Sequence, residues 1–217
     1  EKQYGYMVYS IGGLGLVFYN LYAKALSNAI ANSYEYTTQY VKNLELQMEN
    51  YELEQTSRTD ELTGVLNRRG LDIQGQKQID YAVATGGHGV VFYGDMNGLK
   101  KINDTYGHEF GDRAIKAEAE ILKSAFRATD TIGRIGGDEF AIVAAGFPIK
   151  KIPELKDKIG LRCLEVRDKY QLPFDISISL GAIEFDDKLS DLNTLLKFAD
   201  QQQYVEKRKF HEMEGKS

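Results

Sequence analysis

Two adjacent carboxylates, Asp138 and Glu139, follow a pair of glycines and lie between two apolar runs, an unusual place for charge. The β-branched residues of 131–135 and the apolar residues 140–143 predict a β-hairpin with the acids at its tip or just inside it. Gly136 and Gly137 suit a primed turn, because both central residues of such a turn have positive φ. Acids in this position can bind a cation or accept a proton.

A third carboxylate, Asp95, ends the apolar run 88–95, which is typical of a buried central strand. If this strand pairs beside the hairpin, Asp95, Asp138 and Glu139 converge. Clustered carboxylates repel one another unless a cation neutralises them. Mg²⁺ fits best, since it takes one or two carboxylates together with waters and substrate phosphates, and a pair of such ions can flank an in-line phosphoryl displacement.

The elements that position these acids alternate between helix and strand. The patterns predict a helix at 67–82, a strand at 88–95, a loop and helix to 127, the hairpin, a helix at 150–170, a strand at 175–184 and a helix at 191–209. Helices that alternate with strands around one sheet define an α/β or α+β domain.

Residues 16–58 predict one long helix, because neither proline nor a strong loop signal interrupts them. The a and d positions of a heptad repeat follow spacings of three and four: Tyr34, Thr37, Val41, Leu44, Met48, Tyr51 and Gln55. The simplest interpretation is a dimerising signalling helix that brings two catalytic domains together. The alternative is that the helix packs against its own domain.

Residues 3–23 carry no charge, and about 20 such residues could cross a membrane. The alternation of Tyr4, Tyr6 and Val8 and the three glycines within 10–15 instead favour a strand and a turn. We therefore predict that 1–15 is the remnant of an upstream sensor domain, with a membrane-proximal segment as the alternative. Any membrane contact of the parent protein is expected through a missing region N-terminal to these residues.

The composition is that of an ordinary globular chain, with 217 residues, of which 42% are hydrophobic and 27% charged. A net charge of -5 argues against general affinity for nucleic acid. The single cysteine, Cys163, lies in a helical apolar pattern and is predicted to be a core residue. Without an internal disulfide, a reducing compartment is natural, and we expect the catalytic domain in the cytoplasm.

Five blocks of residues resemble the GGDEF family of diguanylate cyclases in order and spacing. They are Asp60, Leu62, Thr63, Leu66, Asn67, Arg68 and Arg69; residues 95–100 with Asn103, Asp104, Gly107, His108, Gly111 and Asp112; residues 136–140; Ser179, Leu180 and Gly181; and Ala199, Asp200, Tyr204 and Lys207. The resemblance covers residues 58–211, and we assign 59–217 to this domain. It implies a palm-like nucleotidyl cyclase fold, with a central, mostly antiparallel sheet flanked by helices.

The activity that the resemblance implies is condensation of two GTP molecules into cyclic di-GMP with release of two pyrophosphates. Each protomer of a homodimer would hold one GTP, and a ribose 3′-hydroxyl would attack an α-phosphate. Asp95, the backbone of Met96, Asp138 and Glu139 would hold Mg²⁺ or Mn²⁺. Asp138 and Glu139 would also be catalytic, with Glu139 acting either as a further ligand or as the acceptor of the hydroxyl proton.

The same resemblance implies the GTP contacts. Asp112 matches the guanine-binding acid and Asn103 its amide partner, which suits guanine because N1-H and N2-H₂ form a donor pair. Asp112 could alternatively be the N-cap of a helix that begins at Arg113. Lys100 and the backbone of Gly98 and Leu99 would cradle the phosphates.

Lys207 matches a further phosphate contact, and a solvated surface lysine is the alternative for both this residue and Lys100. Arg127 and Asp130 match the family's inhibitory product site, which would bind cyclic di-GMP. The alternative for that pair is a surface ion pair.

Several positions depart from the family pattern. Asn97 stands where a second Asp is common, Gln202 and Gln203 replace small and apolar residues, and His211 replaces an Arg. We expect slower catalysis or weaker GTP binding as a result. The competing hypothesis is a non-catalytic module that acts as a GTP sensor or a cyclic di-GMP receptor. A P-loop hydrolase is disfavoured, because no glycine-rich loop ends in Gly-Lys-Ser/Thr.

Overall fold

The computed structural model describes residues 16–56 and 58–214, with side chains described at 20–49, 58–208 and 212. It divides into two units, Glu1–Ser57 and Arg58–Ser217. The predicted sensor remnant at 1–15 lies outside the described residues.

The first unit contains the predicted long N-terminal helix, α1 (Leu16–Thr56), whose 41 residues include neither glycine nor proline. Many of its large apolar side chains are exposed to solvent: Leu21, Tyr22, Leu26, Ile30, Tyr34, Tyr36, Tyr40, Val41, Leu44, Leu46 and Met48. Among the residues that the structure describes, no helix is long and apolar enough to span a membrane.

The second unit alternates helices with strands in the predicted order. Its elements are α2 (Arg68–Ala84), β1 (Gly89–Met96), α3 (Leu99–Tyr106), α4 (His108–Ala125), β2 (Thr131–Gly136), β3 (Glu139–Ala145), a 3-10 turn (Ile149–Lys151), α5 (Ile152–Lys169), β4 (Ile178–Phe185) and α6 (Leu192–Glu214). The predicted loop before α4 contains the short helix α3.

The four strands form one antiparallel sheet in the order β2-β3-β1-β4. Side chains alternate along the strands, so each face of the sheet packs against its own helices. On one face, Phe92 and Phe140 pack with residues of α3, α4 and α5. On the other, Val91 and Val143 pack with residues of α2 and α6. This confirms the predicted central antiparallel sheet flanked by helices.

Two glycines position the site, one through a close approach and one through its backbone conformation. A side chain at Gly181 of β4 would meet the carbonyl oxygen of Ala199 at 2.0 Å, so this glycine lets α6 lie directly on the strand. Gly98 has a φ of 82°, a left-handed conformation that turns the chain from β1 into α3. The end of β1, the start of α3 and α6 are thereby brought to one region of the sheet.

Candidate active site

The acidic hairpin joins β2 to β3, and its turn lies one residue later than predicted. Gly136 pairs with Glu139 after a register shift, so the central turn residues are Gly137 and Asp138. Of the two glycines only Gly137 has positive φ, at 21°, and the expected primed turn centred on both is wrong. Because the irregularity of β2 between Arg134 and Gly136 shifts the register, Gly136 belongs to the strand and not to the turn.

Asp95 and Glu139 are directly opposite each other in the antiparallel pair of β1 and β3. Directly opposed residues project from the same face of a sheet, here the face that packs against α2 and α6. Asp138 is next to Glu139 in the turn. The register therefore brings together the strand ends that carry the three predicted acids.

Burial raises the pKa of Asp95, and the nearby charges of Asp138 and Glu139 raise it further. Lys207 of α6 opposes them, because its Nζ donates a hydrogen bond to Asp95 Oδ1. The carboxylate thus has like charges on one side and an ammonium group on the other. Such a site favours a cation, which would relieve the repulsion between the acids.

Among the side chains that the structure describes, no three from Asp, Glu, His or Cys are grouped closely enough to hold an ion by themselves. Mg²⁺ usually binds through one or two carboxylates and completes its coordination with water and substrate phosphates. Oxygen donors available here are the carboxylates of Asp95, Asp138 and Glu139 and the backbone of Met96, the last residue of β1. The donor set suits a hard divalent ion that arrives with a phosphate ligand.

The predicted phosphate contacts surround the start of α3. Gly98 and Leu99 begin the helix, and Lys100 is exposed in its first turn. A side chain at Gly98 would meet no atom within 4 Å, so the space above this backbone is open. An anion can approach the amides there. Lys207, the other predicted phosphate contact, lies across the site on Asp95.

The predicted guanine contacts come from two helices joined at Gly107. Asn103 lies in α3, and its Oδ1 is so near Gly111 of α4 that a side chain there would meet it at 2.0 Å. Asp112 follows directly and is exposed. Because α4 begins at His108 with Gly107 as its N-cap, the alternative role of Asp112 as an N-cap is wrong. The carboxylate of Asp112 therefore does not cap α4.

Asn97, the residue that replaces a second Asp, is buried directly after β1 and contacts Ser177 before β4 and Ser179 within it. Its Nδ2 donates to Ser177 Oγ at 2.9 Å, and its Oδ1 accepts from Ser179 Oγ at 2.8 Å. An amide can do both, because it carries donors and an acceptor, whereas a carboxylate only accepts. The two serines lie 80 and 82 positions away in the sequence, so no local pattern around Asn97 indicated this role.

The other departures lie on α6. Gln203 is 3% exposed, and its backbone nitrogen would be 2.3 Å from a side chain at Gly181, so it belongs to the contact between α6 and β4. Gln202 is exposed. The side chain of His211 lies outside those described.

Arg127 and Asp130 occupy the turn between α4 and β2. The backbone amide of Arg127 donates to Asp130 Oδ2 at 2.8 Å, while the side chain of Arg127 is exposed. Burial raises the pKa of Asp130, against the effects of this hydrogen bond and of the Arg127 charge. The pair is adjacent in space and open to solvent on the arginine side.

Sequence reasoning missed the partner of the hairpin arginine. Arg134 Nη1 lies 3.2 and 3.1 Å from the two carboxylate oxygens of Asp60, and its Nε donates to the carbonyl of Gly137 at 2.8 Å. Asp60 also accepts from the backbone and hydroxyl of Thr63. This bond network ties the first loop of the second unit to the acidic turn. The position of Arg134 two residues before the glycines was the one indication in the sequence that it contacts the turn.

Comparison with known proteins defines the class. Residues 57–212 match the family described as diguanylate cyclase, GGDEF domain. The chain is 33% identical over 158 residues to the probable diguanylate cyclase DgcC of Escherichia coli, and 33% over 152 residues to the diguanylate cyclase DosC of the same organism. These matches cover 72% and 69% of this chain but only 42% and 33% of the relatives.

Solved structures agree in fold. The coiled coil and GGDEF domain of DgcB from Caulobacter crescentus, in complex with c-di-GMP, superposes with a TM-score of 0.62 at 23% identity, covering 85% of this chain and 95% of that one. A sensory box/GGDEF family protein from the same species gives 0.60 at 28% identity, covering 70% and 99%.

The chain belongs to the GGDEF family.

Proposed function

We propose that this chain is the catalytic part and signalling helix of a diguanylate cyclase, which joins two GTP molecules into cyclic di-GMP and releases two pyrophosphates. The observation that carries the proposal is the register of β1 against β3, in which Asp95 is opposite Glu139, with Asp138 adjacent and the Lys207 ammonium bound to Asp95. That combination suits a substrate bearing several negative charges.

In each half-reaction the 3′-oxygen of one GTP forms a bond to the α-phosphorus of the other, and the bond to pyrophosphate breaks. Asp95, the backbone of Met96, Asp138 and Glu139 would hold Mg²⁺ or Mn²⁺. When bound, the ion neutralises phosphate charge and lowers the pKa of the attacking hydroxyl. Glu139 either accepts the hydroxyl proton or serves as a further ligand. Lys207 and Lys100 neutralise the triphosphate, supported by the amides after Gly98.

Guanine selection rests on Asn103 and Asp112. A carboxylate accepts from N1-H and N2-H₂ of guanine together, whereas adenine offers an acceptor at N1. Support comes from the exposure of Asp112, which is not used as a helix cap, and from the close packing of Asn103 Oδ1 on Gly111. Both groups are proposed to bind one guanine base between α3 and α4.

Dimerisation is proposed to occur through α1, with residues 16–58 as the signalling helix and 59–217 as the cyclase domain. The heptad residues Tyr34, Val41, Leu44 and Met48 are each at least 43% exposed in the single chain. A second copy would cover such a seam, as in a parallel coiled coil. Two domains are chemically needed, since each supplies one GTP, and an upstream input would change how often they face each other.

Product feedback is proposed at Arg127 and Asp130. The exposed guanidinium can bind a phosphate or a guanine edge in two parallel hydrogen bonds. Cyclic di-GMP bound there would hold two domains apart.

Because GTP is the proposed substrate and Cys163 is a free thiol, we propose that this domain lies in the cytoplasm.

The test is incubation of the full chain with GTP and either Mg²⁺ or Mn²⁺, followed by chromatography of the products. We expect cyclic di-GMP and pyrophosphate from the wild type and neither from Asp138→Ala. If GTP or cyclic di-GMP binds but no product forms with either ion, the protein is a nucleotide-binding module and not a cyclase.

A further inference from the structure

One glycine separates the two helices that carry the proposed guanine contacts. Helix α3 ends at Tyr106, and Gly107 is both its C-cap and the N-cap of α4, with a φ of 88°. Glycine favours such a conformation because it has no Cβ. Among the residues that the structure describes, a side chain at Gly107 would meet no atom within 4 Å. The angle between α3 and α4 therefore depends on contacts between side chains beyond this hinge.

Three aromatic rings make contacts of this kind. The Tyr106 ring lies 5.9 Å from the ring of Phe110, which is in the first turn of α4. The ring of Phe174, in the segment between α5 and β4, lies 5.2 Å from that of Tyr106 and 6.4 Å from that of Phe110. Aromatic pairs attract one another at such centroid distances. The three rings form a cluster, the aromatic clamp, which joins both helices to a third segment.

The segment that carries Phe174 is itself held in place. Leu172 and Ile176, on either side of Phe174, are 7% and 6% exposed and belong to the hydrophobic core. Further along, the carbonyl of Ser177 accepts a hydrogen bond from the amide of Asn97 at 2.8 Å, directly after β1. Phe174 is thus a fixed point against which the rings of the two helices pack.

A cation extends the clamp along α4. The guanidinium carbon of Arg113 lies 5.0 Å from the centre of the Phe110 ring, over the ring. A cation in this position is attracted by the electrons of the ring. Arg113 also donates a hydrogen bond to Glu109 Oε1 at 2.6 Å. The residue that directly follows Asp112 is therefore held on the clamp.

The clamp adjoins both proposed guanine contacts. Asn103 is three residues before Tyr106 on α3, and residues three apart are neighbours on a helix surface. Asp112 is two residues after Phe110 on α4. A side chain at Gly111 would be 2.0 Å from Asn103 Oδ1, so α3 and α4 are in close contact here. A change in the angle between the helices would change the distance between the Asn103 amide and the Asp112 carboxylate.

We propose that the aromatic clamp sets the angle between α3 and α4 and thereby holds the two guanine contacts at the separation that guanine requires. Its three aromatic residues are positioning residues, since they act through Asn103 and Asp112. The inference rests on the proposed function in that it takes these two residues as the guanine contacts. Groups on different helices select one base only if their spacing is fixed to within about 0.5 Å.

The experiment measures binding of two nucleotides to the full chain with Mg²⁺ by isothermal titration calorimetry. 3′-Deoxy-GTP and 3′-deoxy-ITP both lack the attacking hydroxyl and cannot react, and they differ only in the 2-amino group of the base. The ratio of their dissociation constants reports the guanine contacts, because the phosphate and metal contacts are common to both. We expect Tyr106→Ala to lower the preference for 3′-deoxy-GTP about tenfold, which corresponds to one hydrogen bond to a charged group.

Two control variants separate the ring from its hydroxyl and from the loss of any tyrosine. Tyr106→Phe keeps the ring and should keep the wild-type ratio. Tyr81→Ala removes a tyrosine that is 75% exposed on α2 and should also keep it. Thermal unfolding checks that each variant is folded. If Tyr106→Ala is unstable, Tyr106→Leu, which retains apolar volume without a ring, takes its place.

Phe174→Ala should lower the ratio by a similar factor, and combining it with Tyr106→Ala should add little, because both act through the same angle. An unchanged ratio in either variant, or a fully additive loss in the double variant, would overturn the proposal. If the wild type forms no cyclic di-GMP but the ratio falls in both variants, the cyclase activity fails and the role of the clamp stands. Equal binding of the two nucleotides by the wild type would overturn the guanine contacts and the clamp together.

Discussion

Asp95 and Glu118 are two carboxylates near the same charges in opposite surroundings. Asp95 is at the end of β1, has a side chain 16% exposed, and is paired with Lys207. Glu118 lies inside α4, is fully buried, and neither of its oxygens has a hydrogen-bond partner. Burial raises the pKa of Glu118 well above its usual range, and the charges of Asp138 and Asp95 add to this.

The comparison separates an acid suited to bind an ion from a buried structural acid. An acid that binds an ion must be charged, and Asp95 is partly exposed and paired directly with Lys207. Glu118 is fully buried and feels Arg134 and Lys207 only as nearby charges without a hydrogen bond, so burial favours its neutral form. The apolar residues packed around α4, together with Cys163 of α5, form the rest of the environment of Glu118.

The largest effect is expected at the paired acid. Lys207→Met removes the ammonium group from Asp95 and from the substrate phosphates, and should lower kcat/KM for GTP about a hundredfold, since removing one group that stabilises charge in the transition state typically costs this much. Lys197→Met, on the same helix, is the control. Steady-state kinetics of cyclic di-GMP formation check the result, and activity within twofold of wild type would remove Lys207 from the site.

Substitution of the buried acid, Glu118, should change the free energy of unfolding of the domain. Glu118→Met replaces an unpaired polar group with an apolar side chain of similar length, and should stabilise the domain at pH 8 by about 1–3 kcal/mol. Because the folded pKa lies above the unfolded value of 4.5, the stability of the wild type is fully present below that value and is lost as pH rises toward the folded pKa.

The gain from Glu118→Met should therefore be larger at pH 8 than at pH 4.5. Urea unfolding at both values measures it. An equal gain at the two pH values would mean that Glu118 does not titrate between them.

The acid of the Arg134 ion pair is an intermediate case. Burial opposes ionisation of Asp60, but hydrogen bonds from Thr63 and the charge of Arg134 lower its pKa. Its contribution to stability is thus present above 3.8 and lost as pH falls through the folded pKa. Asp60→Asn should cost about 1 kcal/mol at pH 7 by urea unfolding. It should also reduce cyclase activity, because Arg134 also binds the acidic turn; full activity would show that the turn keeps its geometry without this contact.

The smallest effect is expected for an exposed acid. Glu109 is bonded to Arg113 at 2.6 Å with side chains 79% and 41% exposed. Water screens such pairs, so Glu109→Gln should change the free energy of unfolding by less than about 0.5 kcal/mol. A change above 1 kcal/mol in the same urea assay would show that exposure does not rank these carboxylates.

Local patterns predicted most of the elements because they reflect short-range chemistry. The helix over 67–82 and the strand over 88–95 were predicted within two residues of α2 and β1. The hairpin turn was misplaced, since the irregularity at Arg134 depends on pairing with β3. The N-cap alternative for Asp112 failed because α4 begins at His108, after a glycine with a φ of 88°.

The available residue types and the family resemblance could be read from the amino-acid sequence alone: three acids predicted at strand ends, a glycine at position 98 and a heptad repeat in the first helix. Which side chains meet depends on the fold. The Lys207–Asp95 pair joins residues 112 positions apart, and the Arg134–Asp60 pair joins residues 74 apart. Such contacts follow from strand register and helix packing, which no local pattern encodes, and so does the burial of Glu118.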